Sequence, residues 1–505
     1  MREVIGTVIS TFEGPSTHHF NFVIKDETGN ASVHKGQFVQ LETEQGILIA
    51  RVDEIVKTNR YFMQPEAVRE YERSGKPLID MFPVERWEYL VAKAKILGVF
   101  NNGIVERVTY PPSPGSKVKR VDEGILFKFL GLDPLGLNIG KVAFHDIDAK
   151  LNLTKLFQKH LAILAISGAG KSFLVSVLIE ELLDRPENLG KPAIIVVDPH
   201  GEYSGFAEDE KYRKMTRVFG KDYINISVSS LSPQGLAEFL PEITAVQRRE
   251  LKKVILELRK EKRKYGLGEL IDEIEKRKMK NVTKETLISW LSNLELTKLF
   301  SDVTRPSLTE LARPGQLSIL DLSGFTRLNE KQIIVTYFAR KLFNARRKNK
   351  VSPFILIIEE AHQFCPEGTK KQEAISKSII ETIAREGRKF HASLVLVSQR
   401  PIQLSTTALS QCNTQILLRI VNPYDLEHIG KSSEAITSEM IKILPGLQVG
   451  EAIITGNAVN HPLFVKVRER KSKESSRLSM SLEDAIREFS NHGRILKEED
   501  FDAFV

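Results

Sequence analysis

Three groups of residues in this chain have the types and spacing needed to hold and cleave a phosphoanhydride. The first is Ser167-Gly168-Ala169-Gly170-Lys171-Ser172, which follows the apolar run Leu161–Ile166 and opens a helical pattern of Phe173, Leu174, Val177, Leu178 and Leu182. Glycines at 168 and 170 let the backbone curl until its N–H groups converge on one concavity, which suits phosphate oxygens. Lys171 then reaches the β- and γ-phosphates of ATP, the Ser172 hydroxyl takes Mg²⁺, and the helix that follows offers the positive end of its dipole. The whole stretch Ser167–Phe173 is the candidate nucleotide cradle. The usual pattern is G-x-x-x-x-G-K-S/T. Here Ala165 stands at the first glycine, and the Gly-Lys-Ser that touches nucleotide is intact.

The second group is Glu359-Glu360, which closes the apolar run Phe354–Ile358. One acid at a strand end binds Mg²⁺ through water, and the next can orient or deprotonate the water that attacks the γ-phosphate. Glu359 takes the first role and Glu360 the second. Two acids ending a strand say little alone, but about 190 residues after a Gly-Lys-Ser they complete a nucleotide-hydrolysing set.

The third group is Ala384-Arg385-Glu386-Gly387-Arg388-Lys389. Arg385 and Arg388 are three apart and share a helix face. Two guanidinia so placed suit an arginine finger supplied to a neighbouring subunit, which requires an oligomer. The alternative is surface ion pairing with Glu381 or Glu386. Gln399 ends another apolar run and is either a γ-phosphate sensor or a loop-capping amide. Asp198 and Glu202, after Ala193–Val197, belong on the nucleotide side if that run is a parallel strand. Otherwise Asp198 caps the next turn.

The elements that must position these groups alternate between strand and helix. Apolar runs at Leu161–Ile166, Ala193–Val197, Leu317–Leu320, Phe354–Ile358, Leu394–Val397, Gln415–Ile420 and Ala452–Thr455 are separated by helical patterns such as Lys331–Arg346 and Ile375–Arg388. That alternation means an α/β fold with a mostly parallel sheet. Between residues 230 and 300 the spacing is helical throughout, at Leu236–Leu240, Leu251–Leu258, Leu267–Ile274 and Leu287–Leu299. An all-helical insertion is expected there. Its basic run, Arg259–Lys264, is a solvated helix face or a nucleic-acid contact.

Before the core, Val4–Ser10, Phe20–Ile24, Gln37–Glu42 and Gly46–Val56 read as short strands split by turn residues, which suggests a small β-barrel. It either docks a partner or acts as a passive cap. Ile125–Leu130 and Ile139–Val142 read as further strands. The expected organisation is a barrel over 1–90 and a linker with strands over 91–145. The core follows in two parts, 146–229 and 301–470, around the insertion at 230–300, with a tail over 471–505. The apolar Phe501, Phe504 and Val505 suggest that the tail docks on something.

At 505 residues the chain needs several domains, and 41% hydrophobic with 27% charged residues is ordinary for a soluble protein. The net charge of +8 favours a polyanionic partner over a cationic one. Two cysteines, Cys365 and Cys412, build neither a disulfide framework nor a zinc site. The first residues do not read as a signal peptide, and no apolar stretch approaches the ~20 residues of a membrane helix. A soluble, cytoplasmic protein is expected, with no membrane partner.

Taken in order, the phosphate loop, Val-Val-Asp-Pro-His-Gly-Glu-Tyr, Ile-Ile-Glu-Glu-Ala-His, Ala-Arg-Glu-Gly-Arg-Lys, Val-Ser-Gln-Arg-Pro and Leu444–Glu451 resemble the archaeal HerA DNA translocases. These form part of the HerA/FtsK group of RecA-like P-loop ATPases. The likeness covers nearly the whole chain, with the amino-terminal strands similar to the family's HAS barrel. It implies a homo-hexameric ring that moves along double-stranded DNA with ATP and Mg²⁺. It also implies partnership with the nuclease NurA, and other break-repair proteins as candidates, in end resection for homologous recombination. Carried over by position, Lys171 and Ser172 are the phosphate-loop pair, Glu360 the catalytic acid and Arg385 the finger, with Arg388 in reserve. Translocases of this kind grip DNA phosphates with loops in a central channel, and Lys370 and Lys371 mark the candidate loop, a solvated turn being the alternative. Other readings are an FtsK-like or conjugative DNA pump, a polypeptide-threading ring, and a nucleotide-gated DNA clamp that does not travel.

Overall fold

The computed structural model describes residues 3–491 apart from 11–13, 26–32, 60–61, 63–64, 74, 76–87, 241–242, 262–263, 369–373, 433–435 and 476–480. The chain divides into two compact units, Met1–Leu156 with Gly450–Arg468, and Phe157–Val449 with Glu469–Val505.

In the first unit, alternating side chains build a closed barrel. His19–Ile24, for example, buries every second residue, as a strand with one face on a core must. His19–Ile24 pairs with Val4–Ile9, which pairs with Lys117–Arg120, then Phe38–Thr43, Gly46–Asn59 and Glu88–Asn101, and this last strand returns to His19–Ile24. All neighbours run antiparallel. Phe20, Phe22, Val39, Leu41, Val52 and Val118 fill the interior. The barrel therefore does not end at residue 90. Two of its strands run past or lie beyond that point, because without Glu88–Asn101 and Lys117–Arg120 the rest would be two separate hairpins with four open edges.

A second departure follows. Ile125–Leu130, whose apolar run reads as a strand, lies almost wholly in the helix Glu123–Phe129. Asp122 caps it by accepting the Ile125 N–H at 2.8 Å, and the buried Leu126 and Phe129 stand three apart on one face. The unit is completed by the antiparallel strands Leu137–Val142, Asp148–Leu151, Glu451–Gly456 and Leu463–Val467. Residues 452–455 thus belong to this unit rather than to the parallel core.

The second unit holds that core. Seven strands run parallel in the order Thr216–Phe219, Leu317–Asp321, Ala193–Asp198, Phe354–Ile358, Ala392–Ser398, Leu161–Leu164 and Thr414–Leu417. Ala193–Asp198 and Phe354–Ile358 are buried at every residue, which is why they read as unbroken apolar runs rather than alternating ones. Lys171–Asp184 and Leu328–Arg347 are the principal helices packed on the sheet. The insertion is helical, with Ala245–Glu261, Leu267–Lys276 and Asn281–Leu296. Its Arg259 donates to the Ser229 and Leu231 carbonyls, so the described start of the basic run ties down its own chain. No helix among the described residues is long and apolar enough to cross a membrane.

Candidate nucleotide site

Because the core strands are parallel, their carboxyl ends and the loops beyond them gather on one edge. Leu161–Leu164 ends there in the phosphate loop. Gly168 and Gly170 adopt φ of 77° and 92°, the left-handed backbone that costs an L-residue most, and so the loop turns where it must. Ala165 is not strained: it is buried, and its N–H donates to the Ser398 carbonyl at 3.2 Å. Ser167 and Gly168 are exposed at the crown of the loop, while Ala169 is buried and Gly170 and Phe173 lie between. Lys171 opens the helix Lys171–Asp184 and points into the sheet edge.

There it meets the acid strand. Lys171 Nζ donates to Glu360 Oε1 at 2.6 Å and lies 3.3 Å from Glu359 Oε2. Both carboxylates are almost fully buried, at 2% and 4% exposure, so this is a desolvated cluster rather than a surface pair. Burial opposes the Lys171 charge, but Glu359, Glu360 and Glu202 together outweigh it and hold the ammonium above its ordinary pKa. Burial pushes the Glu359 carboxyl up to about 7, although Lys171 and the Tyr203 hydroxyl pull it down. Glu360 sits at φ 48°, ψ 47°, a left-handed backbone unusual for a residue with a Cβ. Its second oxygen lies 3.3 Å from His362 Nδ1, which also lies 3.1 Å from Ser398 Oγ.

The loop after Ala193–Asp198 closes the site. Asp198 is fully buried and accepts N–H bonds from His200, Gly201, Glu202 and Tyr203 at 2.8–3.2 Å, so it caps the turn. Of the two readings of Asp198, this is the one the geometry supports. The turn delivers Glu202 to the Ser172 hydroxyl, which donates to it, and Tyr203 to Glu359, to which its hydroxyl donates. Tyr203 and His362 fall within two of the sequence motifs, but nothing in the sequence singles out their side chains. Ser172, Glu202 and Glu359 form an all-oxygen set of the hard donors that suit Mg²⁺, and Glu359 Oε2 is buried without a hydrogen bond.

Gln399 follows Ser398, which stands beside Leu164 in register, so it borders the phosphate loop. Arg385 and Arg388 lie elsewhere. The helix Lys377–Glu386 runs back from the acid strand toward the start of Ala392–Ser398, and His160, just before Leu161, bonds the Ala384 carbonyl at 2.9 Å. Both arginines are therefore at the edge of the sheet opposite Lys171, out of reach of their own chain's phosphate loop. They are exposed, and neither forms an ion pair among the described residues; Glu381 is engaged instead by Ser405 at 2.8 Å. Lys370 and Lys371, and the apolar residues of the tail at 501–505, lie outside the described residues.

Comparison with known proteins places this chain in a family. The model for "Helicase HerA, central domain" matches residues 137–342. The DNA double-strand break repair helicase HerA of Sulfurisphaera tokodaii is 30% identical over 414 residues, covering 76% of this chain and 79% of that one. Its counterpart from Pyrococcus furiosus is 27% identical over 505 residues, covering 87% and 88%. Among solved structures, VirB4 of Thermoanaerobacter pseudethanolicus shares the fold, with a TM-score of 0.55 at 17% identity over 67% of this chain and 98% of that one. A buried Lys–Glu–Glu cluster at the end of a RecA-like sheet, in a sequence so related, means that this chain belongs to the HerA helicase family and is an ATP-hydrolysing P-loop enzyme.

Proposed function

We propose that this protein is a Mg²⁺- and ATP-dependent translocase on double-stranded DNA, working as a homo-hexameric ring. The observation that carries this reading is the division of the machinery between two edges of one sheet. Lys171, Ser172, Glu359 and Glu360 share the carboxyl edge, and Arg385 and Arg388 stand at the other. A chain so built binds the triphosphate itself and needs a neighbour to supply the guanidinium that stabilises charge on the γ-phosphate. A closed ring meets that need at every interface.

The division of labour follows from the contacts. Ser167–Phe173 cradles the phosphates, with Ser172, Glu202 and Glu359 as oxygen donors for Mg²⁺. The metal would draw charge from the phosphate oxygens. A bound triphosphate offers Lys171 a second anionic partner, and as the ammonium turns to it Glu360 is freed to accept a proton from the attacking water. Gln399, bordering the loop, is suited to sense the γ-phosphate. DNA would be held by its phosphates, without base reading, with Lys370 and Lys371 as candidate contacts. By family, the reading extends to work with a NurA-type nuclease, and with other break-repair proteins, in resecting broken ends.

The test is steady-state ATP hydrolysis with and without linear duplex DNA, alongside sedimentation to count subunits. Strong DNA stimulation from a hexamer is expected. ATP binding with no DNA-stimulated turnover would replace the motor with a nucleotide-gated clamp.

A further inference from the structure

The helix that begins at Lys171 carries a buried carboxylate near its far end, away from the phosphate loop. Glu180 has no exposed surface, and its Oε1 accepts from the Lys471 N–H at 2.8 Å, the Ser472 N–H at 2.7 Å and the Ser472 hydroxyl at 2.8 Å. A fully desolvated acid is costly unless it is paired or fully hydrogen-bonded, so these bonds are what hold it there. They bind the segment Glu469–Ser475, nearly 300 residues away in sequence, across the phosphate-loop helix.

The same segment is fastened to the loop that closes the site. Lys473 donates its N–H to Asp209 at 3.0 Å, the Arg470 guanidinium lies 5.7 Å from the centre of the Phe206 ring, and the Ser204 and Ser475 hydroxyls meet at 2.7 Å. Gly205 is what permits this approach. A Cβ there would stand 2.4 Å from the Lys473 carbonyl oxygen, against rigid backbone.

Within five residues, then, one loop has two jobs. Asp198 pins its start, Glu202 and Tyr203 reach Ser172 and Glu359, and Ser204 to Phe206 lean on the segment behind. We propose that Glu469–Ser475 is a positioning strap for hydrolysis: held by Glu180 and admitted by Gly205, it fixes the Glu202–Tyr203 turn against the phosphate-loop helix. Glu180, Gly205 and Ser475 act through that turn and touch no substrate. The strap sets how well Ser172 and Glu359 are aligned, while the phosphate loop keeps its own hold on nucleotide. The inference rests on the site being an ATPase.

The experiment compares the full chain with Gly205→Ala, Glu180→Ala, Glu180→Gln and Ser475→Ala. It reads amide hydrogen exchange at Lys471 and Ser472, binding of a fluorescent ADP analogue, and the kcat and KM for ATP. In Gly205→Ala and Glu180→Ala the two amides should exchange fast and kcat should fall ~10-fold or more, with nucleotide affinity and KM changed less than about twofold. Glu180→Gln, whose amide oxygen can still accept, should keep slow exchange and near-parental kcat. Ser475→Ala, the mildest change, should lower kcat roughly two- to fivefold. Fast exchange with unchanged kcat overturns the strap, as does a proportional loss of kcat and affinity. If the two alanine variants at 180 and 205 do not fold, an unaltered kcat in Ser475→Ala overturns it alone. A parent chain that binds nucleotide without hydrolysing it overturns the ATPase reading instead.

Discussion

The ammonium of Lys171 and the carboxylate of Glu360 form a 2.6 Å hydrogen-bonded ion pair with almost no exposure to solvent, joining the start of the phosphate-loop helix to the end of the acid strand. Neither charge is neutralised by water, so each depends on the other. The pair links the group that would grip phosphate to the group that would activate water.

Replacing Glu360 by Gln leaves an amide that can still accept from Lys171 but cannot take up a proton. ATP hydrolysis should fall by ~10²–10⁴-fold, the range for loss of a general base. Binding of ATP, read by equilibrium fluorescence, should stay within a few-fold of the parent. Full turnover in the variant would move the base elsewhere.

The placement of Arg385 across the sheet from Lys171 makes a subunit-mixing experiment decisive. Arg385→Ala alone and Lys171→Ala alone should each be inactive, the former by ~10³-fold or more with ATP binding retained. If the proposed ring forms, mixtures of the two variants should regain activity, since a subunit lacking its finger still offers an intact phosphate loop to a neighbour that has one. Arg388→Ala in the same assay tells which guanidinium is the finger. Failure of every mixture to recover would overturn the supply of the guanidinium by a neighbour.

His160 gives the pH dependence. Its ring accepts the Leu394 N–H at 2.9 Å and bonds the Ala384 carbonyl, an arrangement that requires the neutral form. Burial lowers its pKa to about 4 from 6.5. The folded state therefore resists a proton that the unfolded chain accepts, and the stability it contributes is present above pH 6.5 and lost as pH falls towards 4. The thermal midpoint of the parent should drop through that window. His160→Ala should melt lower at pH 8, having orphaned two buried backbone groups at about 1–3 kcal/mol each, and lose less between pH 6.5 and 4. A parallel pH profile in the two chains would show that other groups govern the acid limb.

Ala165 departs from the usual glycine without cost, being buried, free of left-handed backbone and hydrogen-bonded to Ser398. Ala165→Gly should leave kcat within about twofold. It should also destabilise by about 0.5–1 kcal/mol, through the greater freedom of glycine in the unfolded chain. A rise in kcat would mean that the alanine restrains the loop.

What could be read from the chain was whatever is both local and chemically specific. Gly168 to Ser172 and Glu359-Glu360 are contiguous, their chemistry is narrow, and the apolar runs before them are strands wherever the sheet is buried on both faces. The placement of Arg385 across the sheet from Lys171 is not legible in the sequence, because it depends on the direction in which Lys377–Glu386 crosses the sheet. The Tyr203–Glu359 contact joins residues 156 apart, and the clasp of Glu180 on Ser472 spans 292. No periodicity marks either. The barrel's full extent is hidden for a related reason: the turn residues near 111–115 look like a linker, yet Gly115 donates its N–H to the Val8 carbonyl at 2.8 Å and leads back into the barrel. At Ile125–Leu130 a short apolar run was ambiguous between strand and helix, and Asp122, one residue before the helix, decided it.

The first unit is interrupted in sequence, since Leu137–Val142 takes Leu463–Val467 as its antiparallel neighbour after an excursion of more than 300 residues. During synthesis the barrel can close as soon as Arg120 has emerged from the ribosome. The strand at 137–142 must wait, with one edge unsatisfied, until residues 463–467 have been made. A chain that stalls or is clipped before residue 463 would hence expose a ready template for strand addition, and such fragments should be the aggregation-prone products of faulty expression.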